Sequence, residues 1–243
     1  MTEDEKAALI AEMNTIDWWH SIELPALGVT TPGREPNPRS RDKYMRIPWD
    51  QMEGKTVLDV GAWDGLYSFE AEKHGAKVTA SEVFPFPEGI VFAHSLIESS
   101  VEIFLWYVEE KCKESWREYY DFVFFFGVIY HLKNPYLALQ NLFEVLKPGG
   151  LLILETALIP AFPAWTKGID SPKEKWQQWA AIRHLEEMPL LRFCEGEEDG
   201  DQTNWNYPNR AWVEAALRSI GYVDIEFTGG AGNRAAWHAR RPS

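Results

Sequence analysis

The chain has 243 residues, 45% of them hydrophobic, with 24 basic against 37 acidic side chains and a formal net charge of −13. That length suits one α/β domain with additions, and that charge repels a nucleic-acid backbone over long range. Two cysteines, Cys112 and Cys194, without a C-x-x-C spacing argue against disulfide and zinc frameworks, and from the polar start MTEDEK no secretory signal is expected. The longest apolar run, Phe122–Ile129, is too short to cross a bilayer, so a cytoplasmic protein without a membrane partner is expected.

Thr2 and Glu5 have capping-box spacing, and Leu9, Ile10, Met13 and Ile16 share one helical stripe, which predicts a helix from about Glu3 to Trp18. WWHSIELP and the Pro/Gly-rich segment to Pro48 read as an ordered arm, so that residues 1–54 form an N-terminal helical arm or lid on a main domain of residues 55–243. Within the arm, RSRDKYMR is the densest basic stretch, and Asp42 interrupts it. Thr56–Val60 is the first predicted strand, Gly65–His74 the first helix and Lys77–Ser81 the second strand; Val101–Trp106 and Asp121–Phe126 follow as the third and fourth. DFVFFFGVI has no polar alternation, the pattern of a strand buried on both faces.

Asn134-Pro135 is an N-cap followed by proline at the first helical position, and Leu139, Leu142, Phe143 and Leu146 make that helix's stripe. LKPGG is expected to stop it, and LLILET to be a fifth buried strand. The pattern then breaks over about 157–204, an insertion carrying Trp165, Trp176, Trp179 and the acidic stretch Glu195–Asp201. It is expected to cap a ligand crevice. The acidic stretch lacks the oxygen spacing of a calcium loop, and no metal site is predicted. Trp212, Val213, Ala216, Leu217 and Ile220 form a last helical stripe closed by Gly221, and YVDIEF and AAWHAR suggest an antiparallel hairpin at one sheet edge.

The chemistry is concentrated at TVLDVGAWDG, Thr56–Gly65, and KVTASE, Lys77–Glu82. Strand, glycine turn, helix, strand and a terminal acid is how a parallel α/β sheet holds a nucleoside. Gly61 admits the backbone close to a ligand, and Glu82, 21 residues on, is placed to accept hydrogen bonds from ribose hydroxyls. The turn departs from the dinucleotide fingerprint, because Trp63 stands at the middle glycine position. It fits a nucleoside carrying a small zwitterion, such as S-adenosylmethionine (SAM), better than a dinucleotide.

Taken together, the DVG turn, the acid closing strand two, DFVFFFGVIYHL and LKPGGLLILET resemble class I SAM-dependent methyltransferases. WWHSIEL, TTPG, GVIYHLKNP and LLILET resemble, more closely, the family around the tRNA wobble-uridine methyltransferases and its shorter generic relatives. The resemblance implies a Rossmann-like α/β fold: a seven-stranded mixed sheet with helices on both faces, here with an N-terminal arm and a cap insertion after strand five. It also implies SAM as cofactor, with Asp59, Gly61, Ala62, Trp63, Gly65, Glu82, Val83, Tyr107, Gly127 and Tyr130 as cofactor-binding candidates. Trp106 and Tyr107 stand where an acid or asparagine usually meets the adenine, so an aromatic or backbone contact is expected there. The long wobble-uridine enzymes read a carboxylated SAM with upstream basic residues, for which Lys43 and Arg46 are the nearby candidates.

His131, just past the fourth strand, and then His20, in the arm, are the catalytic candidates, since an imidazole titrates near neutrality. The first expectation is methyl transfer to a hydroxyl or amine of a small-molecule metabolite. A tRNA wobble-uridine methyltransferase is the alternative, opposed by the charge, and a SAM-binding protein without turnover is a third reading.

Overall fold

A computed structural model describes residues 1–35, 38–83, 85, 87–159, 173–174, 183–196 and 200–243. The arm begins with α1 (Glu3–Met13), whose capping box forms as expected: Thr2 Oγ1 accepts the Glu5 N–H, and Glu5 accepts the Thr2 N–H. The helix ends at Met13 rather than Trp18 because side chains take its last carbonyls. Thr15 Oγ1 donates to Glu12 O at 2.7 Å and the Trp18 indole to Met13 O at 2.9 Å. A small hairpin of β1 (Glu23–Leu24) and β2 (Val29–Thr30) and a short α2 (Asp42–Met45) complete the arm.

The main sheet is built from β3 (Thr56–Val60), β4 (Lys77–Glu82), β5 (Glu102–Leu105), β6 (Tyr120–Phe126) and β7 (Leu146–Ala157), with α3 (Leu66–Lys73), α4 (Glu88–Ile97) and α5 (Pro135–Val145) between them. A separate hairpin pairs β8 (Leu191–Phe193) with β9 (Asn206–Pro208), and α6 (Arg210–Ile220), β10 (Val223–Ala231) and β11 (Arg234–Arg240) end the chain. The seven strands lie in the order β10-β11-β7-β6-β3-β4-β5. β3 to β7 are mutually parallel, and β11 is antiparallel to both its neighbours. The terminal hairpin thus forms as expected, with its second strand inside the sheet and its first at the edge.

LKPGG ends α5 at Val145 as expected, but Leu146 belongs to the strand and not to the helical stripe: β7 starts there, paired with Tyr120, and the register slips before Leu151 pairs with Phe122. A glycine-rich bulge lets the chain leave α5 and enter the strand without a loop. The third strand is shorter than Val101–Trp106, and α4 is a helix for which the pattern reading has no counterpart. Of the insertion, Trp165, Trp176, Trp179 and part of the acidic stretch lie outside the described residues.

Strand alternation divides the core between the two faces of the sheet. Val57, Phe122, Phe124, Leu151 and Ile153 join α3, α4 and the arm residues Trp18, Leu24, Met45 and Met52. Leu58, Val123, Phe125, Leu152 and Leu154 join α5 and α6 on the other face. The arm is therefore part of the core, not an appendage. Asn134 and Asn209 cap α5 and α6 by accepting the Leu137 and Trp212 N–H groups, and Gly221 ends α6 at φ +114°. No helix among the described residues is long and apolar enough to cross a membrane.

Candidate functional site

The chain runs from β3 outward to β5 on one side and from β6 to β7 on the other, so the strand order reverses between β3 and β6. In an open parallel sheet the crevice beyond the strand ends at that reversal is where ligands bind. Gly61 (φ +73°) leaves β3 at this point, and a Cβ on it would lie 2.4 Å from Val128 Cγ2, just past β6. Glycine is required there by space and by backbone conformation. The Gly61 and Ala62 N–H groups donate to Ser81 O on β4, which closes the turn against its neighbour.

Glu82, buried at the end of β4, accepts the Trp63 N–H on Oε1 and its neighbour Val83's N–H on Oε2. Two acceptor positions of the carboxylate remain, and burial pushes its carboxyl above the usual range against those two N–H groups. Trp63 itself adopts φ +52°, a conformation bulky residues rarely take, and is 44% exposed. Val83 and Tyr107 are also exposed, so the ends of β3, β4 and β5 present three apolar side chains to solvent around one buried acid. Trp106 does not share that surface. It is buried, edge-on to Trp116 at 5.4 Å, and donates its indole N–H to Glu110 O.

Asp59 turns the other way, into α3, where it accepts the Ser68 hydroxyl at 2.6 Å. Burial raises its carboxyl to about 7, the Ser68 hydrogen bond opposing and nearby Glu82 adding to the rise. Gly65 (φ +88°) begins α3, and a Cβ there would meet Phe69 at 2.7 Å.

Past β6, Gly127 (φ +73°) would place a Cβ 3.3 Å from Arg234 Nη2 and 3.5 Å from the Tyr130 hydroxyl. Arg234 donates to that hydroxyl at 3.0 Å and through Nε to Glu155 Oε1 at 2.7 Å. Glu155, fully buried at the end of β7, also accepts the Tyr44 hydroxyl at 3.1 Å from the arm, with Arg41 3.8 Å away. Tyr130 stacks on Tyr207 of β9 at 5.7 Å. His131 Nδ1 faces Thr203 Oγ1 at 2.9 Å, and Thr203 Oγ1 donates to Asp201 at 2.6 Å. Since that hydroxyl proton points to the carboxylate, the hydrogen between His131 and Thr203 sits on Nδ1, leaving Nε2 with its lone pair. Burial lowers the His131 imidazole, which keeps it neutral.

On the arm side, His20 and Asp64 are both buried and joined, Nδ1 to Oδ1 at 2.5 Å. Arg46 turns away from the crevice: it donates to Thr228 O at 2.7 Å and pairs with Glu226 at 3.0 Å, and Lys43 is exposed. Asp64, Tyr67, Glu155 and Arg234 were not among the sequence candidates. Glu155 carries the signal used for Glu82, an acid ending an apolar strand, whereas Asp64 shows its role only through what folds onto it. Among the described residues no group of acids, histidines and cysteines is arranged to hold a metal.

Residues 34–198 match a family model described as a methyltransferase domain. The chain is 32% identical over 159 residues to the tRNA U34 carboxymethyltransferase of Helicobacter hepaticus, covering 62% of this chain and 50% of the relative. It is 34% identical over 168 residues to that of Hydrogenovibrio crunogenus, covering 65% and 49%. It thus spans about half the length of the curated relatives it matches. Among solved structures, the N-terminal domain of EvdMO1 with SAH bound superposes with a TM-score of 0.68 at 15% identity, covering 99% of this chain and 98% of that one. The same domain has also been crystallised in the presence of SAH and D-fucose, with a TM-score of 0.67. The 1,6-didemethyltoxoflavin-N1-methyltransferase of Burkholderia thailandensis, with that compound and S-adenosylhomocysteine bound, gives 0.53 at 15% identity, covering 100% and 92%. Those identities show a shared fold, and the family model, matching more than half of the chain over the strands and turns described above, shows that the chain belongs to the methyltransferase-domain family.

Proposed function

We propose that this protein transfers a methyl group from SAM to a hydroxyl or amine of a small-molecule metabolite. The observation that carries the donor assignment is a pair of buried carboxylates at the strand ends, Asp59 and Glu82, both with raised carboxyls. Neither is paired with a lysine or arginine among the described residues. Glu82's open acceptor positions favour ligand hydroxyls, and the two unpaired carboxylates, Asp59 behind the turn and Glu82 at it, favour a cation nearby. Glu82 would hold the ribose, the Gly61–Trp63 turn would lie along the donor, and Val83 and Tyr107 would flank the base. When bound, SAM supplies a methyl group made electrophilic by a sulfonium.

The protein's own work is to align the acceptor, exclude water and remove a proton where the acceptor is a hydroxyl. His131, neutral and with Nε2 bare, and His20, held by Asp64, are the two imidazoles available for this. Tyr130, fixed by Arg234 and Tyr207, would form the acceptor wall together with the arm. A small acceptor agrees with the net charge of −13 and with the compounds bound by or present with two of the structural neighbours.

Calorimetry with SAM or S-adenosylhomocysteine is expected to give a one-to-one complex, and no heat at millimolar ligand would sink the reading. Release of S-adenosylhomocysteine across a panel of alcohols and amines separates an enzyme from a SAM-binding protein without turnover. The second reading is tRNA wobble-uridine modification, favoured by the curated relatives. Retention of unmodified tRNA in a gel shift at physiological salt is expected only under that reading.

A further inference from the structure

We propose that His20 is the base that takes the proton of a hydroxyl acceptor, and that Asp64 is the residue that positions it; this deepens the methyl-transfer reading and rests on it. Asp64 is fully buried and receives three donors. Its Oδ2 accepts the Trp19 N–H at 3.0 Å and the His20 N–H at 2.7 Å, while Oδ1 faces His20 Nδ1 at 2.5 Å. An ionised carboxylate only accepts, so the ring hydrogen sits on Nδ1 and the lone pair on Nε2. Nε2 makes no hydrogen bond to a described residue, and the side chain keeps 10% of its exposure.

The position of the pair matters as much as its tautomer. Asp64 directly follows Trp63, whose N–H is held by Glu82, and precedes Gly65, which starts α3. One turn therefore carries the donor's cradle and the support of the imidazole on adjacent residues. On its far side the His20 ring packs edge-on to Tyr67 at 5.9 Å, and Tyr67 edge-on to Phe126 at 5.0 Å, the last residue of β6. The ring thus packs between Asp64, in the turn after β3, and Tyr67 of α3, whose own ring reaches the end of β6. His131 has a weaker support, through a hydroxyl to an exposed carboxylate, Asp201. In the step, His20 Nε2 takes the hydroxyl proton as the acceptor oxygen bonds to the methyl carbon, and the sulfur keeps the electron pair of the broken carbon–sulfur bond.

The test uses the full chain and S-adenosylhomocysteine as probe. Imidazole nitrogen–proton correlation spectra are expected to show His20 as the Nδ1–H tautomer, and Asp64→Asn to convert it to Nε2–H, because a carboxamide N–H then faces Nδ1. Diethyl pyrocarbonate should carbethoxylate His20 in the free protein, about tenfold more slowly with the crevice saturated by S-adenosylhomocysteine. An Nε2–H tautomer in the wild type, or a His20 rate that the bound probe leaves within about twofold, overturns the assignment even if Asp64→Asn does not fold. Absence of probe binding by calorimetry overturns the methyl-transfer reading, and the base role falls with it; a bound probe with the wrong tautomer overturns the base role alone.

Discussion

Trp63 donates its backbone N–H to the Glu82 carboxylate, so the turn after the first parallel strand and the acid ending the second are one hydrogen-bonded unit. Glu82→Gln keeps the volume but presents an N–H where an acceptor stood. It is expected to weaken S-adenosylhomocysteine binding about 10- to 100-fold, the range for lost charge-assisted hydrogen bonds of about 1.5–3 kcal/mol. A dissociation constant within about threefold of wild type in calorimetry would remove Glu82 from the donor site.

Donor affinity should also depend on Asp59, whose carboxyl stands at about 7. A cationic ligand favours the ionised acid, so binding is tighter above that pH and releases a proton below it. Affinity is expected to rise between about pH 6 and 8, and the slope to vanish in Asp59→Asn. Calorimetry in two buffers of different ionisation heat reads the proton directly; identical heats would contradict the linkage.

The same shift makes a stability prediction of opposite sense. An acid raised from 3.8 to about 7 on folding keeps its proton in the native state, so native stability declines as pH climbs between those values. Asp59→Asn retains an acceptor for Ser68 and removes the ionisation. It should match wild type in thermal midpoint near about pH 4 and exceed it at about pH 8, by about 4 °C or more. Equal midpoints at both pH values would mean that Asp59 is not buried in solution as it is here.

Glu155 is fully buried beneath Arg234 and Tyr44; removing Arg234 leaves its charge with only the more distant Arg41, and removing Glu155 leaves Arg234 without its carboxylate. Arg234→Met or Glu155→Leu alone is expected to cost about 3–5 kcal/mol in denaturant unfolding, and the double substitution less than either. Additive losses would show that the pair does not act as a unit.

Gly61 and Gly54 both have positive φ, +73° and +69°, but only Gly61 faces a neighbour, Val128. Gly54→Ala should cost about 1 kcal/mol of stability and leave donor binding intact, whereas Gly61→Ala should abolish binding. A Gly61→Ala protein with wild-type affinity would separate the turn from the ligand.

Much of this architecture was legible in the chain because its signals are local. The apolar run at Phe122–Phe126, the Asn134-Pro135 cap and the stripe closed by Gly221 each depend on neighbours within a turn or two, and the strands and helices form there. The errors were local as well. Met13 ends α1 because the Trp18 indole returns to its carbonyl, and Leu146 enters β7 because Tyr120 lies beside it; both partners are invisible to periodicity. Trp106, an adenine candidate by position, faces the core because Trp116 packs on it.

What the sequence determined by itself was the parallel α/β sheet, its glycine turn at Gly61 and the acid at Glu82, since strand pattern, φ requirement and spacing are written along the chain. Only the tertiary structure decided the partners of the buried charges. Asp64 meets His20 across 44 residues and Glu155 meets Arg234 across 79, contacts fixed by where whole elements dock. A carboxylate brought out of water needs donors, and which donors reach it is settled by packing rather than by adjacency.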